Sequence, residues 1–243
     1  QSMDLTYLDS LNKAQKKAVL KTEGPLLIIA GAGAGKTKTV TDRILHLVLH
    51  GVQPEQILAI TFTNKAAKEM RERVTSALNK HPEGGSVFAG RTPFVSTFHS
   101  FGVFMLKKFG HKLNLPKHIT ILDRDDSKKM VKDILIRLGH DPKKTEPSKM
   151  LNIISKQKGE NVSIQDFADT AKTKPRGYSD EIASIVWREY ESELRKEKSV
   201  DFDDLLTLPV KLIKEHADVR SYCNTTWKYI HVDEYQDTNP IQY

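Results

Sequence analysis

The stretch PLLIIAGAGAGKTKT, residues 25–39, decides how this chain is read. Its first six residues form a short, wholly apolar run, the pattern of a strand buried on both faces of a parallel sheet. The run breaks into alternating glycine and alanine and ends in Gly35-Lys36-Thr37, where a helical pattern begins. That helix carries Val40, Ile44, Leu47 and Val48 on one face and stops at Gly51. The phosphate-loop pattern is G-x-x-x-x-G-K-[ST], set between a strand and a helix. Here it reads Ala30-Gly31-Ala32-Gly33-Ala34-Gly35-Lys36-Thr37, with alanine at the first position. A triphosphate needs several donors converging on a tight arc, and glycines let backbone N–H groups point inward with no side chain in the way. The helix adds its positive dipole end. Lys36 is placed to reach the β- and γ-phosphates and the Thr37 hydroxyl to bind Mg²⁺. A glycine-rich turn without chemical consequence is the competing reading, and Gly-Lys-Thr at a strand-to-helix junction disfavours it.

A magnesium-bound triphosphate also needs an acidic anchor and a group that positions water. KYIHVDE, residues 228–234, supplies both. Tyr229, Ile230 and Val232 are strand formers, and Asp233-Glu234 stand at the C-terminal end, the edge at which open parallel sheets bind ligands. Asp233 is the expected magnesium ligand and Glu234 the expected general base for the attacking water.

Between these points the chain alternates. ILAITF (57–62) reads as a second buried strand, NKAAKEMRERVTSALNK (64–80) as a helix, FVSTF (94–98) as a third strand, and a further helix runs to about Phe109. Strand–helix alternation predicts an α/β layer with a parallel sheet. From about 111 to 196 the pattern is helical with no convincing strand, and α/β character returns with DFDDLLTLPVKLIKEH and KYIHVDE. The expectation is therefore an α/β domain, residues 1–110 and 197–243, with an all-helical subdomain, 111–196, inserted into it. In DFDDLL an N-cap followed by an amphipathic helix carrying Leu205, Leu206 and Leu208 accounts for the residues.

The 243 residues carry a net charge of +7, with 28% charged and 38% hydrophobic residues. That balance suits a folded, soluble domain with an anionic partner, nucleic acid foremost. The inserted stretch is lysine-rich, but Asp123, Asp125, Asp126 and Asp133 are interleaved, so a solvated face and a phosphate-gripping face both fit. A single cysteine, Cys223, excludes a disulfide framework or zinc cluster and points to a reducing, cytoplasmic setting. Cys223 reads as a bystander. No stretch approaches the roughly 18 consecutive apolar residues of a membrane span, and no signal peptide is visible. Gln1-Ser2 before Met3 reads as an expression remnant.

AGAGAGKTKT, TFTNKAAKEMRERV, VSTFHSFG, DFDDLL and VDEYQDTNPIQ follow one another in this order. The set resembles the superfamily 1 DNA helicases of the UvrD/Rep/PcrA type, over nearly the whole chain and most strongly at 9–110 and 199–243. The resemblance implies a RecA-like P-loop NTPase domain using ATP and Mg²⁺. It implies that Gln15 recognises adenine, that Gln236, with Asp237, links nucleotide site to DNA site, and that Asp201, Asp203 and Asp204 belong to a family motif. Phe62, Thr63 and Asn64 match one segment that contacts single-stranded DNA, and Thr97, Phe98 and His99 match another. Aromatic stacking with hydroxyl and amide contacts to phosphates is the chemistry that holds single strands. Core packing is the competing reading for Phe62 and Phe98, and a satisfied hydrogen-bonding role the competing one for His99.

By the same resemblance the partners are single-stranded and fork DNA and a second motor domain of the same parent chain, whose motifs do not occur within these residues. The expectation is a monomeric N-terminal fragment of a 3′→5′ helicase. An arginine reaching the γ-phosphate from a second domain is worth about 10³–10⁵ in rate, so the fragment alone is expected to bind nucleotide weakly and turn it over very slowly. Two other classes compete. A nucleic-acid-binding module with a vestigial nucleotide site is disfavoured by intact Lys36, Thr37, Asp233 and Glu234. An unrelated phosphate-loop kinase or GTPase is disfavoured by TFTNKAA and DEYQDTN and by the lack of a guanine-reading N-K-x-D.

Overall fold

The computed structural model describes residues 26–30, 34–61, 63–80, 91–174 and 178–233. In chain order these form β1 (Leu26–Ala30), α1 (Ala34–Leu49), β2 (Ile57–Thr61), α2 (Asn64–Lys80), β3 (Phe94–Thr97) and α3 (Phe98–Phe109). They continue with β4 (Thr120–Leu122), α4 (Arg124–Arg137), α5 (Pro147–Gly159), α6 (Ile164–Thr173) and α7 (Tyr178–Lys196). The last elements are β5 (Ser199–Asp201), α8 (Phe202–Glu215), α9 (Ala217–Thr226) and β6 (Tyr229–Asp233). Residues 5–22, where the apolar spacing of Leu11, Ala14, Ala18 and Val19 predicts a helix, lie outside the described residues.

The described residues divide into two compact units. One runs up to Phe101 and resumes from Ile213 to Asp233; the other is Gly102–Leu212. The limits fall inside α3 and α8, whereas sequence character changes at 110/111 and 196/197. Packing defines the first pair of limits and composition the second.

The first unit is a parallel sheet, ordered β1-β6-β2-β3 among the described residues. β6 comes last in the chain yet lies between β1 and β2, pairing Leu26 with Tyr229 and Ala30 with Asp233 on one side and Ile60 with Val232 on the other. β2 is buried along its whole length, as its unbroken apolar run requires of an inner strand. Against it pack Ile44 and Val48 of α1, Ala67, Met70, Val74 and Leu78 of α2, and Val95 of β3. The α2 positions recur every three or four residues, which puts one face of the helix on the sheet. Phe94, Phe101 and Tyr222 meet Trp227 edge-on, with ring centroids 5.6–5.9 Å from the indole.

The second unit is built mainly of helices. Val131, Ile134 and Leu135 of α4, Leu151 and Ile154 of α5, Phe167 of α6 and Val186, Trp187 and Leu194 of α7 form its core. It is not all-helical: β4 and β5 pair in parallel, Thr120 with Ser199 through Leu122 with Asp201. This corrects the expectation of no strand within 111–196. Three residues give no alternation to read, and the pairing partner lies about eighty positions away in sequence, so only tertiary pairing creates β4. Gly102 permits a close helix crossing here, since a Cβ at this position would lie 2.0 Å from the Leu205 carbonyl oxygen of α8.

Candidate functional site

All four strands of the first unit run the same way, so their C-terminal ends share one edge. Ala30 ends β1 beside Asp233, the end of β6; Thr61 ends β2 beside Thr97, the end of β3. Neighbouring strands lie about 4.8 Å apart, so this row of four residues spans roughly 14–15 Å. Lys36 and Thr37 are the third and fourth residues of α1, which starts four positions after Ala30. The acidic strand end and the strand that leads into the glycine loop are thus nearest neighbours, although 203 positions separate Ala30 from Asp233 in the sequence.

Three helices begin at this edge: α1 at Ala34, α2 at Asn64 and α3 at Phe98. None has an acidic residue in its first turn, whereas α4, α6, α7, α8 and α9 all do. Each helix N-terminus carries about half a positive charge, and none of these three has a first-turn carboxylate of its own to neutralise it. The edge is therefore electrostatically suited to phosphates.

Thr63 and Thr97 occupy equivalent places in successive strand–helix units. The Thr63 Oγ1 accepts from the Ala66 N–H at 3.0 Å, and the Thr97 Oγ1 from the Ser100 N–H at 3.1 Å. Both threonines are N-caps, a role the sequence reading did not give them. Thr97 is buried, Thr63 half-buried and Asn64 exposed. Phe98 and His99 are half-buried in the first turn of α3. Burial lowers the His99 pKa, so at neutral pH the ring is an uncharged hydrogen-bonding group rather than a fixed cation. Gln15, Gly31, Ala32, Gly33, Phe62, Glu234, Gln236 and Asp237 lie outside the described residues. Cys223 is buried, and burial pushes its thiol up to about 12, as befits a bystander.

In the second unit DFDDLL forms the end of β5 and the start of α8. The Asp201 Oδ1 accepts from the Asp204 N–H at 2.8 Å and the Asp204 Oδ2 from the Asp201 N–H at 3.0 Å, a reciprocal capping box. The cap reading of the sequence holds, but these carboxylates do more. The Lys158 ammonium of α5 donates to Asp201 Oδ2 at 2.8 Å and forms ion pairs with Glu191 Oε1 of α7 at 2.9 Å and Asp204 Oδ1 at 3.0 Å. Its side chain is only 7% exposed. Three carboxylates thus surround one ammonium. The Tyr190 hydroxyl donates to Asp201 Oδ2 at 2.8 Å and is hydrogen-bonded to the Ser127 hydroxyl at 3.0 Å. Asp203 accepts from Ser155, which in turn accepts from Arg124, each at 2.7 Å.

Burial alone would lower the Lys158 pKa, but Asp201, Asp204 and Glu191 hold it well above the ordinary lysine value. Burial raises Asp204 to about 7, opposed by Lys158 and reinforced by Asp201. Burial, with Asp201 beside it, raises Asp203 to about 6. Burial also acts to raise Asp201, but its contacts with Lys158 prevail and hold it below the usual carboxylate value. Lys158 and Glu191 were not foreseen. The available signal was spacing: Leu151, Ile154 and Lys158 share one helical face, so the lysine stands where a core residue belongs.

Sheet, helix N-termini and acidic strand end together define a parallel α/β protein with a glycine-loop sequence between β1 and α1. The chain belongs to the UvrD/REP helicase N-terminal domain family, whose family model matches residues 11–243. It is 41% identical over 239 residues to the ATP-dependent DNA helicase PcrA of Leuconostoc citreum, covering 98% of this chain and 30% of that protein. Against the ATP-dependent DNA helicase PcrA of Bacillus subtilis it is 42% identical over 237 residues, 97% of this chain and 30% of the relative. For the Staphylococcus aureus protein of the same name the identity is 39% over 237 residues, 97% of this chain and 31% of the relative. The chain thus spans under a third of the length of the curated relatives it matches.

Proposed function

We propose that this chain is the first, RecA-like motor portion of an ATP-dependent DNA helicase, with Mg-ATP held at the β1/β6 end of the sheet edge and single-stranded DNA at the β2/β3 end. The observation that carries the reading is the pairing of Ala30 with Asp233, which sets an acidic strand end beside the start of a phosphate-loop sequence. The donor set fits the ligand: glycine-loop amides and Lys36 for phosphate oxygens, and Thr37 and Asp233, two hard oxygen donors, for magnesium. Bound magnesium supplies charge neutralisation of the β- and γ-phosphates.

Within this reading Lys36 carries the positive charge that meets the transferring phosphate, Glu234 orients and deprotonates the attacking water, Gln15 selects adenine and Gln236 senses the nucleotide. Thr63 and Asn64, with Phe62, and Thr97, Phe98 and His99 form two DNA-contacting turns. Because Thr63 and Thr97 already cap helices, their hydroxyls act by fixing helix N-termini towards phosphates as much as by direct contact. Residues 1–110 and 197–243 make up the motor domain and 111–196 an inserted, mainly helical subdomain that meets the duplex at a fork. Movement along DNA, in the 3′→5′ direction, requires closure against a second motor domain of the same parent protein.

Calorimetric titration of Mg-ATP into this chain tests the nucleotide site. Binding is expected, weakened at least tenfold by Lys36→Ala and by Asp233→Ala. In a protein carrying this segment together with a second motor domain, single-stranded DNA is expected to stimulate ATP hydrolysis, and Lys36→Ala to abolish it. DNA binding without nucleotide binding or turnover would instead identify a nucleic-acid-binding module with a vestigial nucleotide site.

A further inference from the structure

The Lys158 cluster belongs to the second unit and holds more negative charge than its lysine neutralises. One ammonium faces Asp201, Asp204 and Glu191, with Asp203 adjoining through the same capped turn. The surroundings add little positive charge. From α4 come Ser127, bonded to the Tyr190 hydroxyl, and Arg124, which reaches Ser155 and Asn152 and whose charge favours the ionised form of Asp203. From α5 come Lys158 and Ser155, and from α7 come Tyr190 and Glu191. β5 supplies Asp201; α8 supplies Asp203 and Asp204. Fully ionised, the three carboxylates around Lys158 would leave an excess of two negative charges in a space almost closed to water. Desolvation and like-charge repulsion oppose that state.

We propose that this cluster is a proton-operated latch on the N-terminus of α8, in which the Asp203–Asp204 pair retains a proton in the resting structure and releases it to loosen the tie between α5, α7, β5 and α8. The bonds define what is at stake. Asp204 is at once an ion-pair partner of Lys158 and the partner of Asp201 in the capping box, so repulsion on its ionised form acts on the helix cap itself. With the proton present the knot carries one fewer negative charge. Without it, Asp204 and Asp201 repel each other across the turn they close.

The sign follows from the directions of the shifts. Asp204 and Asp203 titrate higher in the folded chain than in the unfolded one, so their contribution to stability is full below about pH 4. It is lost as pH rises through about 6 for Asp203 and about 7 for Asp204. Asp201 shifts the other way, and its contribution is lost only as pH falls below the ordinary carboxylate range.

Difference infrared spectroscopy on the native chain between about pH 6 and 8.5 reads the proton directly, because solvated carboxylates are already ionised at about pH 6. A carboxylic-acid carbonyl band is expected at the lower pH, lost with a midpoint near about 7 and reduced in Asp204→Asn. Thermal unfolding supplies the second reading. Asp204→Asn is expected to melt below the wild type at about pH 5.5 and to close that gap by about pH 8.5, because the wild type loses its proton and the amide has none to lose. A native chain with no acid band at about pH 6, or a melting gap that stays constant across the range, overturns the latch. If Asp204→Asn does not fold, Asp203→Asn, which leaves every Lys158 contact in place, serves as the second variant, and a wild-type infrared titration without a band still refutes the proposal.

Discussion

At the residue scale the largest single commitment outside the sheet edge is Lys158. A buried ammonium is tolerable only while its acceptors remain, and removing one member of a buried ionic group leaves the others uncompensated, at a cost of about 3–5 kcal/mol. Lys158→Met keeps the length of the side chain and deletes the charge, so the carboxylates of Asp201, Asp204 and Glu191 lose their shared donor. The expected outcome is a drop of that size in unfolding free energy, measured by urea denaturation near neutral pH. A loss below about 1 kcal/mol, the range of exposed pairs, would mean the ammonium is solvated. Thr97 is a smaller, sharper case. Its hydroxyl caps α3, so Thr97→Ala is expected to cost about 1 kcal/mol by the same measurement, and Thr97→Ser to restore most of it. If the proposed DNA contact is real, Thr97→Ala also weakens single-strand binding while Thr97→Ser retains it. Equal binding by both variants would confine Thr97 to capping.

At the element scale the crossing of α3 and α8 depends on Gly102. A methyl group there would meet the Leu205 carbonyl at 2.0 Å, and both partners are backbone, so no side chain can swing away. Gly102→Ala must push the helices apart, which is expected to destabilise by about 1–3 kcal/mol or more despite alanine's better helix propensity. A melting temperature equal to or above that of the wild type would show that the crossing is slack. The same elements show what the sequence could express. Helix α2 was legible to the residue at both ends, since its apolar face recurs every three to four positions. β2 was legible because ILAITF, residues 57–62, is a short run of strand-forming, mostly apolar residues. The position of β6 between β1 and β2 was not, because strand order is set by pairing over some two hundred positions and leaves no local trace; only the chemistry of a shared magnesium site suggested the pairing. β4 is the opposite failure, three residues with no period of their own. In DFDDLL the cap was legible from local spacing, but the lysine it grips lies on another helix and was not foreseen.

At the scale of the whole molecule, the net charge of +7 and three helix N-termini without first-turn acids predict salt-sensitive, sequence-tolerant binding of single strands. The logarithm of the affinity is expected to fall linearly with the logarithm of salt concentration. A flat response would point to stacking without phosphate contacts. The two tryptophans offer a finer division, because each lies in a different compact unit. The Trp187 Nε1 donates to Glu191 Oε1 at 3.1 Å, and that oxygen is also ion-paired with Lys158. Trp227 is buried among Phe94, Phe101 and Tyr222. A change in the charge of the lysine knot therefore reaches the Trp187 indole through the Glu191 carboxylate. Between about pH 6.5 and 8.5, Asp204 passes through its midpoint near about 7, while His99, with its pKa lowered by burial, is already neutral. Fluorescence of Trp227→Phe, in which Trp187 alone emits, is expected to change in intensity or wavelength across this window. Trp187→Phe, in which Trp227 alone emits, is expected to stay constant. A pH response carried by Trp227 and absent from Trp187 would place the titrating group in the sheet unit and remove the lysine knot as its source.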